Sequence, residues 1–453
     1  MGPTHGLKAL HRLDAHVGNV AHEAPGNQQG TGGFQMARAG ESITMSARRA
    51  SGRAPEAWFQ RDVPLPGRIP ALDGVRGMAI LLVLLFHLNL LRTSTTSHAV
   101  DDLMSTLLAV GWCGVDLFFV LSGYLITRIL YEAKGSDSYF RNFFIGRILR
   151  IFPLYYALLL FTFVVVPNLP AGLIPAETLD EWVGLEHSPL WFWLYLSNFA
   201  IASAASWGHG TLDVTWSLGI EEQFYFLWPS VVCYLNRKRL LKICLGVVVA
   251  AFAIRVVMTV GEMSPVSTYV FTLGRFDAIA AGAFVALAGA GSGGIDRLFP
   301  ACRIWGMTAA ALAGLFLWRG TNNLDPIVLT VGLSLVALNF AALLAIILSV
   351  RSNHWLVRLF SLGWLRSFGK YSYAMYLVHV PVAAGVRELF YGPNDFPSLV
   401  GSRIPGQILF YLLTTTLIFT LAFVSWHLCE KHFLRLRRST VFRTRSPAYA
   451  SGS

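Results

Sequence analysis

Charge is what this sequence has least of: 13% of its 453 residues are Asp, Glu, Lys or Arg, 54% are hydrophobic, and mean hydropathy is +0.53. Soluble domains carry roughly twice that charge, so a water-soluble fold is excluded before any motif is read. Cysteine is sparse as well. Cys113, Cys233, Cys244, Cys302 and Cys429 are scattered, odd in number and without CxxC or CxxH spacing, which implies neither a disulfide framework nor a metal site. The first 67 residues lack the apolar run of a signal peptide. A single basic patch is also missing: the formal net charge is +11, yet Lys and Arg sit mostly between apolar runs. That distribution signals membrane topology and excludes nucleic acid as a partner.

Long apolar runs are what the chain does have. A bilayer core about 30 Å thick needs ~20 mostly apolar residues per helix. Such runs are read at Met78 to Leu91, Leu107 to Ile129, Leu149 to Val166, Leu218 to Leu235, Leu241 to Val260, Thr268 to Leu287, Ile304 to Trp318, Pro326 to Val350, Tyr371 to Val386 and Ile408 to Leu428. The expected fold is therefore all-α, a polytopic integral membrane helical bundle of about ten transmembrane helices. Leu190 to Ala204 is short, aromatic and interrupted by Ser197 and Asn198, and is expected to be re-entrant or interfacial. With that assignment 30 of the 36 Lys and Arg fall in cytoplasmic segments, and both termini are expected in the cytoplasm. Making Leu190 to Ala204 a span would force the Arg237-Lys238-Arg239 loop outside. Three regions result: a Gly-, Ala-, Ser- and Arg-rich segment 1–67 expected to be disordered, a membrane domain 68–435, and a basic cytoplasmic tail 436–453.

An ionisable residue inside a membrane is costly, so each is a functional candidate by default. The first helix carries Arg76 and, eleven residues on, His87. Eleven residues are close to three turns, which puts both on one face about 16 Å apart along the axis. An isolated histidine on an apolar helix is commonly a hydrogen-bonded core residue; here the second helix adds Asp116 at a similar expected depth, where it can fix an imidazole tautomer or serve as a packing ion pair. Ser122, beside Gly123, reads as a packing residue. The fourth helix opens on Trp216 and Ser217 and carries Glu221, Glu222 and Tyr225; the two glutamates complement a helix dipole or build a site. Arg275 and Asp277 on the sixth helix are expected to neutralise each other, and His379 lies deep in the ninth. His427 and Glu430 near the end of the last helix are read as capping and anchoring it. Arg147 and Arg150 share one face at the cytoplasmic border, which fits positive-inside anchoring and equally fits a phosphate-bearing donor.

Taken together, Arg76 with His87 after ten residues, the block Gly114-Val115-Asp116-Leu117-Phe118-Phe119-Val120-Leu121-Ser122-Gly123-Tyr124, Arg147 with Arg150, and Thr215-Trp216-Ser217-Leu218 leading into Glu221-Glu222-Gln223-Phe224-Tyr225 resemble the membrane acyltransferase type 3 family of bacterial and nematode O-acyltransferases. The resemblance runs from about Arg68 to Arg435. It implies transfer of an acyl group, usually acetyl, from cytosolic acyl-CoA to a hydroxyl of a carbohydrate, glycolipid or glycoside, at a multi-pass protein of the bacterial inner membrane. No bound cofactor is implied; acyl-CoA is the donor substrate. His87 is then the catalytic residue, with Arg76, Arg147 and Arg150 serving the donor. Many relatives add a hydrolase-like domain after the membrane unit. This sequence ends about 20 residues after its last helix, so the membrane unit is expected either to complete transfer itself or to hand the group to a separate protein.

Thioester chemistry needs a base for the hydroxyl, stabilisation of an oxyanion and a dry cavity. His87 is the expected base and Asp116 its orienting partner. Trp216, Ser217, Glu221, Glu222, Tyr225, Arg275, Asp277 and His379 are the remaining candidates for an acceptor or structural site. A different class, a transporter or flippase, would use the same buried charges to line a path.

Overall fold

Hydropathy alone accounts for most of what the computed structural model shows. Residues 69–93, 99–170, 188–290, 300–390, 398–399 and 401–442 are described, side chains at 93 and 437–442 excepted. Segment 1–67 and the last part of the tail lie outside the described residues. All those described belong to one unit, Trp58–Ser453, and all their regular structure is helical.

In chain order the α-helices are α1 (Pro70–His87), α2 (Ala99–Ala109), α3 (Gly114–Ala133), α4 (Tyr139–Leu160), α5 (Leu190–Trp193), α6 (Ser197–Ala204), α7 (Trp216–Tyr234), α8 (Arg237–Val260), α9 (Pro265–Val270), α10 (Thr272–Gly289), α11 (Ala301–Arg319), α12 (Leu333–Ser349), α13 (Trp355–Phe360), α14 (Gly363–Phe390), α15 (Ile404–Ser425) and α16 (Lys431–Phe442). Short 3-10 or π turns join several into longer rods. Among the described residues eight rods are long and apolar enough to cross a membrane. Two more, α7 with 19 residues and α14 with 28, have the length but carry the polar residues of the candidate site. The ten apolar runs read from the sequence fall on these eight rods and on α7 and α14.

Local chemistry sets several boundaries. Pro70 and Pro265 occupy first helical positions, where a missing N–H costs nothing. Asn236 caps α8 by accepting from the Arg239 amide at 3.0 Å. Leu190 to Ala204 forms two short helices, broken at Tyr195 (φ 57°) and closed at Ala205 (φ 58°), so it builds no continuous span. The last rod continues to Leu436 and α16 to Phe442, past the boundary expected at 435.

Close packing centres on α10, part of the most enclosed rod. Gly123 of α3 faces the backbone of Ile279, and Gly282 of α10 faces the backbone of Val120. A Cβ at either would collide with main chain, so two glycines set this approach, as small residues commonly do between membrane helices. The same device brings α1 against α14 through Gly77 and Gly369. That second contact places His87 and His379 side by side.

Candidate active site

The end of α1 is held by α15. Gln407 of α15 accepts from the Leu90 amide at 2.9 Å and donates to the Leu88 carbonyl at 2.8 Å. Tyr411 donates to the Leu85 carbonyl at 2.6 Å. These bonds satisfy groups that a helix terminus leaves open, and they fix the turn that carries His87.

The His87 Nδ1 lies 3.0 Å from the Val83 carbonyl. A carbonyl oxygen only accepts, so Nδ1 carries the hydrogen and Nε2 of the neutral ring keeps its lone pair. Protein atoms crowd this side chain, yet the residue is exposed. His379 of α14 meets it edge to face, with ring centroids 4.7 Å apart and planes at 75°. Behind His379, Tyr376 contacts its ring and bonds Ser217 Oγ at 2.7 Å and the Val214 carbonyl at 2.9 Å.

A second cluster lies three turns back along α1. Arg76, Arg147 and Arg150 are electrostatic neighbours of one another, with Asp73, Glu221 and Glu430 as nearby carboxylates. Arg147 lies over the Tyr225 ring, 5.5 Å from its centroid. Tyr225 donates to Glu221 Oε2 at 2.7 Å and makes a short contact with Ser122 Oγ. Tyr373 donates to the Ile151 carbonyl at 2.7 Å, tying α14 to the helix of Arg147 and Arg150. Like His87, Arg150 is surrounded by protein and still partly exposed. Three guanidinium groups that repel one another in one cluster are a natural receptor for several anionic oxygens.

The remaining candidates fall elsewhere. Asp116 does not orient His87; it pairs with Arg275 at 2.9 Å, and both are almost wholly buried (1% and 0% exposed). Gly114 is the residue that α3 presents to α1, against Ala79 and Val83. Asp116 is two positions on, about 200° round the helix, and so points toward α10. Nor do Arg275 and Asp277 neutralise each other, since residues at i,i+2 face opposite ways. Asp277 pairs instead with Arg255 of α8 at 2.8 Å. The Phe119, Trp216 and Tyr269 rings surround Arg275 at 5.6, 5.5 and 4.8 Å. Arg255 also bonds the Gly274 carbonyl and Ser334 Oγ. This network, with Trp216, is a buried strut joining α3, α8, α10 and α12.

Glu222 stands between the two kinds of environment: it interacts with Arg147 and Glu221 and lines a cleft of about 430 Å³ with Tyr195, Gln223, Phe226 and Phe276. A larger apolar cleft of about 530 Å³, between Phe199, Ile254 and Phe271, contains none of the candidate residues. Sequence reasoning missed Tyr376, one turn before His379, and Gln407, a lone amide in an apolar helix. It also read Glu430 as an anchor, whereas the fold brings it to Arg150.

The family described as "Acyltransferase domain" matches residues 69–427. The chain is similar to the YrhL protein of Bacillus subtilis, 29% identical over 383 residues, covering 80% of this chain and 54% of that protein. It is 29% identical over 336 residues to the peptidoglycan O-acetyltransferase OatA of Listeria monocytogenes, covering 69% of this chain and 49% of that one. Over 389 residues it is 27% identical to the O-acetyltransferase OatA of Staphylococcus aureus, covering 81% and 57%. The chain spans about half the length of the curated relatives it matches. No solved structure matches it.

Proposed function

We propose, given that this chain belongs to the acyltransferase type 3 family, that it carries an acyl group, acetyl in the simplest case, from cytosolic acyl-CoA to a carbohydrate hydroxyl. Family and helical rods make it a multi-pass membrane acyltransferase. Donor, acceptor and residue roles are the proposal. Relatives named as peptidoglycan O-acetyltransferases support a cell-envelope glycan as the acceptor class.

One observation carries this reading: a cluster of three arginines and a histidine with a free Nε2 lie at the two ends of one helix face. Eleven residues of helix span about 16 Å, a distance that an extended pantetheine arm bridges. Donor phosphates bind Arg76, Arg147 and Arg150 at the cytoplasmic border, and the thioester lies beside His87. Nε2 takes the proton of the acceptor hydroxyl as its oxygen attacks the thioester carbonyl. When the C–S bond breaks, the proton passes to the departing thiolate and leaves free CoA. The basic-residue distribution supports a cytoplasmic donor side and two cytoplasmic termini.

The test is transfer of label from [14C]acetyl-CoA into surface glycans, using membranes from cells with and without the intact gene, with mass spectrometry of the products. Acetyl esters that depend on the gene are expected. Movement of a glycoside across liposomes with no change of mass would mark a transporter instead and overturn the proposal.

A further inference from the structure

Between α5 and α6 the chain turns through Tyr195 in a left-handed conformation (φ 57°), which residues other than glycine rarely adopt. Gly219 of α7 lets that turn come close, since a Cβ there would stand 2.8 Å from the Tyr195 carbonyl. The Gln223 amide donates to the same carbonyl at 3.1 Å. The Tyr195 ring stacks on Tyr155 with centroids 4.2 Å apart, which fixes the direction of its hydroxyl. Beside it Asn198, Gln223 and Thr272 close a ring of hydrogen bonds at 2.7 to 2.9 Å, so these polar groups are answered within the protein. The Tyr195 hydroxyl and Glu222 Oε1 are not: both atoms are buried, and neither has a hydrogen-bond partner among the described residues. Native proteins leave few such atoms. Here the two residues line one cleft of about 430 Å³, large enough to take a ligand, and Tyr195 is only 7% exposed.

The rim of the cleft is of a different kind. Leu194, Phe226, Leu227 and Leu273 line it and are exposed, and α7 and α10 are among the spanning helices, so the cleft opens toward lipid. A ligand that fits both parts carries hydroxyl groups at one end and a hydrocarbon chain at the other. A glutamate carboxylate accepts from hydroxyls, and a tyrosine hydroxyl donates or accepts. The same carboxylate repels the phosphate of an ordinary phospholipid. We infer that this cleft receives the acceptor and that the acceptor is a glycolipid: its chain enters from the bilayer between α7 and α10, and hydroxyls of its sugar bond Glu222 and Tyr195. This rests on a carbohydrate being the acceptor of acyl transfer. Tyr373 of α14 is an electrostatic neighbour of Glu222. Tyr376 follows about one turn on, and His379 one turn further, against the His87 ring. Six residues of helix span about 9 Å, the reach of a short oligosaccharide, so a sugar beyond the one held at Glu222 can present its hydroxyl to His87. Glu222 and Tyr195 bind and aim the acceptor and take no part in the proton transfer.

The experiment places the full chain in phosphatidylcholine nanodiscs, varies a glycolipid extract of the native membranes at constant total lipid, and supplies [14C]acetyl-CoA, with thermal stability measured alongside. Native membranes are assayed in parallel for label in lipid-anchored and in water-soluble glycans. Label should enter the solvent-extractable glycolipid, at a rate that saturates with the glycolipid fraction. Tyr195→Phe should raise the fraction needed for half-maximal rate roughly fivefold, as loss of one hydrogen bond does, without loss of stability, because the hydroxyl it removes has no partner in the protein. Glu222→Gln should raise it roughly tenfold, and Leu227→Trp, which narrows the rim, should act in the same direction. The KM for acetyl-CoA should stay within about twofold in all three. Half-maximal fractions equal to the parent's in the folded variants, label confined to water-soluble glycan, or a rate that follows added phosphatidylglycerol instead of glycolipid would overturn the inference. Acetyl esters on no glycan of either kind would show the parent reading to be wrong.

Discussion

Two polar regions inside this bundle obey opposite rules. Around Arg275 every charge has an opposite charge: Asp116 and Asp277 answer Arg275 and Arg255, with exposures of 0% to 1%. Along α1 the matching is looser: Arg76 approaches Asp73 at 3.8 Å, and Glu221 and Glu430 lie near the other arginines. Three arginines crowd together, and two histidines in ring contact each commit Nδ1 to a backbone carbonyl. Charges matched and sealed in this way hold helices together. Loosely paired groups with exposed surface hold capacity for something that arrives. The contrast separates structural from chemical polarity better than burial or charge alone.

The largest effect should come from breaking the matched region. Arg275→Leu leaves Asp116 buried without its partner, which costs about 3 to 5 kcal/mol in comparable buried pairs. Thermal stability in detergent should fall sharply, and activity should fall with the folded fraction. Pairing it with Asp116→Leu should restore much of the stability, because two apolar residues often replace a buried pair at little cost. A stable Arg275→Leu protein that had lost acyl transfer would place Arg275 in the chemistry and erase the contrast.

Next comes His87→Ala, where the pattern should invert: acyl transfer falls at least ~100-fold with melting behaviour close to the parent's. A core histidine satisfied by a neighbour would instead lose stability and activity in proportion. Asp116→Asn belongs to the other region, so its activity should follow its stability.

Arg147 and Arg150 should give a smaller effect of a third kind. Changing both to Gln removes charge-assisted contacts worth about 1.5 to 3 kcal/mol each at most, and their solvent exposure reduces this. The KM for acetyl-CoA should rise roughly tenfold with stability maintained. Unchanged KM with failed insertion would restore positive-inside anchoring as the reason for these residues.

Much of this was legible in the chain. Apolar runs gave the rods, and the spacing of Arg76 and His87 gave the two ends of the proposed site, because helical period is a local property. Pairing across helices was not legible. Asp116 was expected beside His87 from depth alone, but depth says nothing about azimuth, and the Gly114 contact turns Asp116 to α10. Arg255 lies inside an apolar run with no motif around it, and only packing shows it paired with Asp277. The separation of α1 from α14, nearly 300 residues along the chain, hid the contact of His87 with His379 from any reading based on local period.

Gln407 offers the smallest and sharpest test, since it belongs to neither region and touches no reacting group. Its amide joins the Leu90 N–H and the Leu88 carbonyl, and so holds the turn after His87 without contacting the ring. Gln407→Leu strips both bonds from a helix terminus, which should lower stability by about 1 to 3 kcal/mol. Gln407→Glu keeps an acceptor for the Leu90 N–H and loses only the donor to Leu88, and should lie between parent and Leu. If the turn positions His87, kcat should fall more than the small change in folded fraction explains, while the KM for acetyl-CoA stays near the parent value. A Gln407→Leu protein whose kcat follows its folded fraction would mean that Tyr411 and the Val83 bond suffice to place the imidazole. The positioning of His87 would then be a property of α1 itself, and α15 would count among the structural parts of the bundle.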